Sequence, residues 1–303
     1  NCDSVAVFGD THGAFEDLVL VLSAIAGAGR SILDRDMRHH LVFNGDFVDR
    51  AAKAGDSFHV LFLLLWLKAK VPGKITLLRG NHEEPYFAWS RSGILCTTPN
   101  TEADREQQAF FPDSLLRRGP EKLKEVLQEI DASVFQKLPF AAVVFDETFV
   151  VHAGVSRNLK TVKELMATDC RSLTHALPQI YKGETRPGPE TFIPAELVDL
   201  MGNYEYKCPN ELTWADLSLD KTDVPKGVSV KNGAVDTAFV NRCPWNWSKQ
   251  VMDRWFDENA PIKMLIRGHH PVGDVRPSTF HQMTRRIWDP HGAVRTDADP
   301  EKR

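Results

Sequence analysis

The sequence predicts an α/β fold with parallel strand pairing, and three observations predict it. Short apolar runs alternate with segments of helical period. Most of the apolar runs stop at or beside a glycine. The residues that follow them are Asp, Asn or His, placed where α/β sheets bind ligands, at the carboxyl ends of the strands.

Residues 4–8 form an apolar run stopped by Gly9, which reads as a buried strand. Residues 14–26 carry Phe15, Leu18, Val19, Leu22 and Ile25 at helical spacing, and Gly27 stops them. Leu41, Val42 and Phe43 make a second strand before Asn44-Gly45. A helix over 57–70 is closed by Val71-Pro72-Gly73, and 75–78 is a third strand. Residues 119–131 are helical, and 141–151 return to strand, broken by a turn at Asp146-Glu147. From 156 to about 241 the pattern weakens into long loops rich in Pro, Gly, Lys and Asp. A helix over 250–258 and a strand over 263–266, ending at Gly268, complete the series. With no repeat and no clear linker, 1–303 is expected to be one catalytic domain. Residues 156–213 would be an insertion or lid, and 289–303 a polar, frayed tail.

Composition excludes several classes. The chain has 303 residues, 42% hydrophobic and 26% charged, which suits a globular protein with a substantial core. A net charge of −4 argues against a protein that coats nucleic acid, while leaving a nucleotide or RNA end open as substrate. Five scattered cysteines without a Cys-x-x-Cys pair are neither a disulfide framework nor a zinc ribbon. They are expected to be free thiols in a reducing compartment, cytoplasmic or nuclear. The longest apolar stretch, 60–67, falls well short of the roughly 20 residues a membrane helix needs. The opening residues show no charged n-region or cleavage site, so no signal peptide is expected.

Chemistry sits just after the strands. The segments are Gly9-Asp10-Thr11-His12-Gly13, Gly45-Asp46-Phe47-Val48-Asp49-Arg50, Arg79-Gly80-Asn81-His82-Glu83, His152-Ala153-Gly154 and Gly268-His269-His270. Carboxylate oxygen, amide oxygen and imidazole nitrogen are the donors expected for Mn²⁺, Fe or Zn²⁺, and no thiolate takes part. A carboxylate such as Asp46 can bridge two ions about 3.5–4 Å apart, as in hydrolytic two-metal sites. Any one segment alone is ordinary turn chemistry. Five in succession point to a dinuclear site of Asp10, His12, Asp46, Asn81, His152 and one of His269 or His270.

These motifs resemble the calcineurin-like metallophosphoesterases, and Leu78-Arg79-Gly80-Asn81-His82-Glu83 points more narrowly to the phosphoprotein phosphatase superfamily. The resemblance implies a central β-sandwich flanked by helices rather than an open sheet alone. It assigns Asp10, His12 and Asp46 to one divalent ion, and Asp46, Asn81, His152 and His269 to the other, with His269 preferred to His270 because it directly follows Gly268. Manganese is the first expectation, with Fe, Zn²⁺ or Mg²⁺ as alternatives. His82 would give a proton to the leaving oxygen, Asp49 would orient its ring, and Arg50 would hold phosphate oxygens, joined by Arg242 from the late loop.

Two departures from protein serine/threonine phosphatases set the substrate expectation. Ala51 follows Asp49-Arg50 where those enzymes carry Gly, and Ala153 follows His152 where they have a second Gly. Both resemble the ApaH-like branch, so the expected reaction is hydrolysis of a phosphoanhydride in a dinucleoside polyphosphate, polyphosphate or mRNA cap. A protein serine/threonine phosphatase acting on phosphoproteins is the alternative. A catalytically dead scaffold is a third reading, disfavoured because every expected ligand is present. Trp245, Trp247, Trp89 and Tyr86 are candidate base-stacking residues, though a Trp is more often core. His39-His40 and Arg285-Arg286 read as surface pairs.

Overall fold

A computed structural model describes residues 3–34, 36–49, 51, 53, 55–83, 112–155, 161–167, 212–213, 216–217, 229–231, 234–236, 246–247, 249–269 and 287–288. The chain divides into two compact units, Asn1–Pro139 and Phe140–Arg303.

The first unit is built on three parallel strands in the order β1-β2-β3: β1 (Ser4–Phe8), β2 (His39–Phe43) and β3 (Ile75–Leu77). Parallel neighbours cannot be joined by a hairpin, so helices α1 (Phe15–Ala26) and α2 (Asp56–Lys70) make the crossovers. The central strand reads as an unbroken apolar run at Leu41, Val42 and Phe43, all nearly inaccessible, as a strand covered on both faces should. Val60, Leu61, Leu64 and Leu67 bury one face of α2 at helical spacing, while Phe62 and Trp66 on the other face are exposed. The paired register Phe8↔Phe43↔Leu77 brings all three strands to an end together, so the loops that follow them start side by side.

After β3 come α3 (Asp113–Leu116), α4 (Pro120–Ser133) and a 3-10 turn (Phe135–Lys137). Proline at the first position suits the start of α4, because the missing N–H would have no helical partner there. Arg79, fully buried at the end of β3, ties this segment to the sheet. Its backbone N–H donates to Pro139 O at 2.8 Å, and its guanidinium donates to Phe135 O. Nearby, the buried Asp131 accepts from Gln136 Nε2 at 2.7 Å. Burial pushes the Asp131 carboxyl up to about 6 against the opposing pull of Gln136 and Arg79.

The second unit mixes strand directions, as the turn expected within 141–151 requires. Its main sheet has the order β11-β10-β5-β4, in which β4 (Ala141–Val144) and β5 (Thr148–Val151) are antiparallel. β10 (Met264–Ile266) runs parallel to β5, and β11 (Ile287–Trp288) parallel to β10. The reversal is local. Phe145 and Asp146 both take positive φ, and Glu147 N–H donates back to Val144 O at 3.2 Å, closing a tight turn. β6 (Asp216–Leu217) pairs with β9 (Asn246–Trp247), and β7 (Ser229–Lys231) with β8 (Ala234–Asp236).

Two further helices, α5 (Val162–Ala167) and α6 (Lys249–Glu258), belong to this unit. α6 buries Met252, Trp255 and Phe256, and the Trp255 ring sits 5.2 Å from that of Phe149 on β5. Asn259 then joins the two helices: its Oδ1 accepts from Val162 N–H at 2.6 Å and its Nδ2 donates to Trp255 O at 2.8 Å. No helix among the described residues is long and apolar enough to cross a membrane.

Of His39-His40, expected as a surface pair, His39 is exposed and His40 is half-buried. Both residues belong to β2, His39 beside Ser4 Oγ and His40 with Nε2 at 2.8 Å from Thr76 Oγ1 on β3, where burial lowers its pKa. The five cysteines, Arg285-Arg286 and the tail 289–303 lie outside the described residues.

Candidate metal centre

In the first unit the three loops that leave the sheet are laced together. Thr11 and His12 N–H both donate to Asp46 O, at 3.0 and 2.9 Å, and Gly13 N–H donates to Phe47 O at 3.0 Å. The loop after β1 is therefore laid on the loop after β2. Close approach requires glycine: a Cβ at Gly45 would lie 2.3 Å from Gly80 N, and one at Gly80 would lie 2.2 Å from Asp46 Oδ1. Among the described residues six non-glycines take positive φ, and His12, Asp46, Asp49 and His269 are four of them. Each such residue costs on the order of 1–3 kcal/mol, and strain of this kind gathers where a side chain must be aimed.

The side chains converge. Asp46 Oδ2 lies 3.6 Å from His12 Nε2 and 3.9 Å from His82 Nε2, and Asp10 Oδ2 lies 3.9 Å from His12 Nε2. The ligand atoms of His12, Asp46 and His82 all fall within 4.8 Å of one another. His12 Nδ1 is 3.0 Å from Val48 O, which can only accept, so Nδ1 carries the proton and Nε2 offers its lone pair inward. A ring nitrogen held by a carbonyl leaves the other able to bind an ion, and the donor set suits a hard or borderline divalent ion. Asn81, also predicted as a ligand, is buried next to His82.

His82 fits two roles by geometry. Its Nδ1 is 2.6 Å from Asp49 Oδ2, with both residues buried, so Nδ1–H donates to the carboxylate and Nε2 is turned toward Asp46. Its ring meets that of His12 edge-on at 4.8 Å. A carboxylate-held imidazole can ligate an ion or hand over a proton.

Glu83 was named in the sequence only as the last letter of its motif. Its carboxylate is fully buried and accepts three backbone N–H groups: Oε2 from Asp46 at 2.7 Å and Gly80 at 2.9 Å, Oε1 from Phe47 at 2.7 Å. Burial and the neighbouring Asp46 charge push it up to about 7, against those three donors. No periodicity or composition signal marks this role, because it depends on which loops meet.

In the second unit, His152 and His269 stand at the ends of the paired parallel strands β5 and β10. Gly268 N–H donates to His152 O at 2.9 Å, and the two rings meet edge-on at 5.3 Å. Ala153 N–H donates to Leu212 O at 2.8 Å, anchoring the chain after β5. Arg50, Arg242, His270, Tyr86, Trp89, Trp245 and most of 156–213 lie outside the described residues.

Residues 4–273 match the calcineurin-like phosphoesterase family. A probable serine/threonine-protein phosphatase of Encephalitozoon cuniculi is 29% identical over 192 residues, 63% of this chain and 35% of its own. The serine/threonine-protein phosphatase 4 catalytic subunit of Candida glabrata is 30% identical over 165 residues, 54% of this chain and 43% of its own. The matched stretch thus spans less than half the length of these curated relatives. A solved protein serine/threonine phosphatase from Saccharomyces cerevisiae, with similarity to human phosphatase PP5, superposes with a TM-score of 0.55. That alignment covers 94% of this chain and 65% of the other at 18% identity, which speaks for the fold.

These findings overturn the expected phosphoanhydride hydrolase of the ApaH-like branch, together with its dinucleotide, polyphosphate or RNA-cap substrate: the relatives are named as serine/threonine-protein phosphatases. The two alanines that suggested it are poor witnesses. Ala153 is completely buried, and the Ala51 methyl lies against Gly13, where an added Cβ would come within 2.5 Å of it. Methyl groups absorbed by packing say little about the substrate.

Proposed function

Because the chain belongs to the calcineurin-like phosphoesterases, we propose that it is a metal-dependent phosphatase acting on phosphoserine or phosphothreonine in proteins. The buried His82–Asp49 pair, with Nε2 turned toward Asp46, is the observation that carries the chemistry. The names of the relatives support the substrate class.

Asp10, His12 and Asp46 are proposed to hold one ion, for which His12 presents an unprotonated Nε2. By resemblance to the family's motifs, Asp46, Asn81, His152 and His269 are proposed to hold the other, with manganese the first choice of metal. The ions would supply Lewis acidity at the phosphoryl group and a more acidic attacking water.

The chain's own residues do the rest. His82 delivers a proton from Nε2 to the departing seryl or threonyl oxygen, while Asp49 holds the ring through Nδ1. The His82 backbone N–H holds Asp46 Oδ1 at 3.0 Å, so the loop carrying the acid also orients the carboxylate. We assign His82 as acid rather than ligand because Asp10, His12 and Asp46 already furnish three donors on its side. Arg50 and Arg242 are proposed to grip the phosphate oxygens as planar forks. One family match spanning both compact units supports reading 4–273 as a single catalytic domain.

The test is phosphate release from a phosphoserine peptide by Mn²⁺-loaded protein, with diadenosine tetraphosphate offered separately and Asp46→Asn as control. Release from the peptide and its loss in the variant, by at least about 100-fold, is the expected result. A protein that leaves the peptide intact yet hydrolyses p-nitrophenyl phosphate would refute the substrate assignment and keep the chemistry. Normal turnover by Asp46→Asn would refute the metal centre.

A further inference from the structure

We propose that Glu83 is a positioning residue of the metal centre, its carboxylate setting the backbone from which Asp46 and Asn81 present their side chains. The proposal rests on reading those two residues as metal ligands.

The geometry is that of an anion nest filled from within. Gly45 and Asp46 both take positive φ, and this turns the successive N–H groups of Asp46 and Phe47 toward one point. Such concavities ordinarily bind an external anion. Here the point is occupied by Glu83, which takes one N–H on each oxygen and adds that of Gly80 from its own loop.

The link is returned: Asp46 Oδ1 accepts the N–H of His82 at 3.0 Å. The loops after β2 and β3 therefore exchange bonds in both directions, carboxylate to backbone each time. Asn81 sits between the two anchor points of its loop, Gly80 and His82. Neither loop can shift without breaking a bond to the other.

The clamp also explains why the residue is a glutamate. Gly80 has no room for a Cβ, which would fall 2.8 Å from Glu83 Oε2 and 2.4 Å from Asp46 N, so the loops touch backbone to backbone. Three converging N–H groups need two acceptor oxygens. Glutamine has the same shape but sets an NH₂ against at least one of them. Aspartate keeps both oxygens and is one methylene short.

The experiment measures Mn²⁺ affinity by EPR titration, well below each variant's melting temperature, for the parent, Glu83→Gln, Glu83→Asp and Asp46→Asn. Amide exchange is followed in the same samples. Glu83→Gln should weaken Mn²⁺ binding about 10- to 100-fold, as loss of an outer-shell partner does. The amides of Asp46, Phe47 and Gly80 should exchange faster while those of β2 do not.

A folded Glu83→Gln with parental affinity, beside an impaired Asp46→Asn, overturns the clamp alone. Parental affinity in Asp46→Asn overturns the metal reading and the clamp with it. If Glu83→Gln does not fold, Glu83→Asp decides by the same criteria. Failure of both to fold makes Glu83 a general folding residue and overturns the positioning role.

Discussion

The two units hold the side chains of the candidate site by different means. In the first, Asp46, Asn81 and His82 ride on loops whose backbones are bound by side-chain carboxylates, Glu83 to one loop and Asp46 to the other. In the second, His152 and His269 sit directly at the ends of paired strands, and the sheet register continues into the bond from Gly268 N–H to His152 O. The first arrangement aims several groups from a sharply turned backbone but needs buried polar partners for each N–H. The second rests on the ladder up to Gly268, with a left-handed backbone at His269 alone of its two histidines, and it places fewer groups.

The largest expected effect tests what the first arrangement aims. His82→Asn should lower kcat on a phosphoserine peptide by about 10²–10⁴-fold. The loss should be much smaller on p-nitrophenyl phosphate, whose leaving group needs no proton. Equal losses on both substrates would remove His82 from the role of acid.

Next comes the contact between the loops. Gly80→Ala forces a methyl onto Asp46 and should cost about 3 kcal/mol or more in urea unfolding. Gly73→Ala meets nothing within 4 Å and should stay within about 0.5 kcal/mol of the parent. Similar costs at the two sites would mean that the loops do not meet as described.

A smaller effect concerns the support beneath Arg79. Asp131, held near 6 in the fold against its ordinary 3.8, binds its proton more tightly folded than unfolded. Its contribution is therefore intact below about pH 4 and is lost as pH rises through 6. Asp131→Asn removes that loss, so the variant should gain up to roughly 3 kcal/mol over the parent at pH 7 and little or nothing at pH 4. A gain independent of pH would point to packing instead.

The smallest effect lies in the second unit. Ala153→Gly should cost about 1 kcal/mol of stability and leave substrate preference unchanged. A shift toward or away from phosphoanhydrides would restore the alanine as a specificity marker.

Much of this was legible in the sequence, for reasons that also explain the rest. Apolar runs stopped by glycine located β1, β2, β3 and both intervening helices to within two residues, because strand burial and helix periodicity are local patterns. The reversal between β4 and β5 was legible as a turn, expected at Asp146-Glu147 and found with positive φ at Phe145 and Asp146. The parallel pairing of β10 with β5 was not, since an apolar run looks alike in either orientation. Side-chain chemistry at strand ends singled out His12 and Asp46, whereas His82 entered only through the family resemblance, as a proton donor; the structure brings the three within 4.8 Å of one another. The part played by Glu83 was not legible, since three N–H groups from two loops have no one-dimensional signature. Ala51 and Ala153 misled because a residue can differ from a family's pattern for reasons of packing alone.

The positive φ values at His12, Asp46, Asp49 and His269 have a consequence for descent. Backbone demand and chemical demand act on these positions independently. A copy of this chain released from catalysis would lose the need for imidazole and carboxylate there and keep the need for a left-handed backbone. Its substitutions at 12, 46, 49 and 269 should then drift to Gly, Asn or Asp, the residues that tolerate that conformation, and avoid Val, Ile and Thr. Such a bias would identify an inactive descendant that still folds, and would separate it from one that has lost the fold as well.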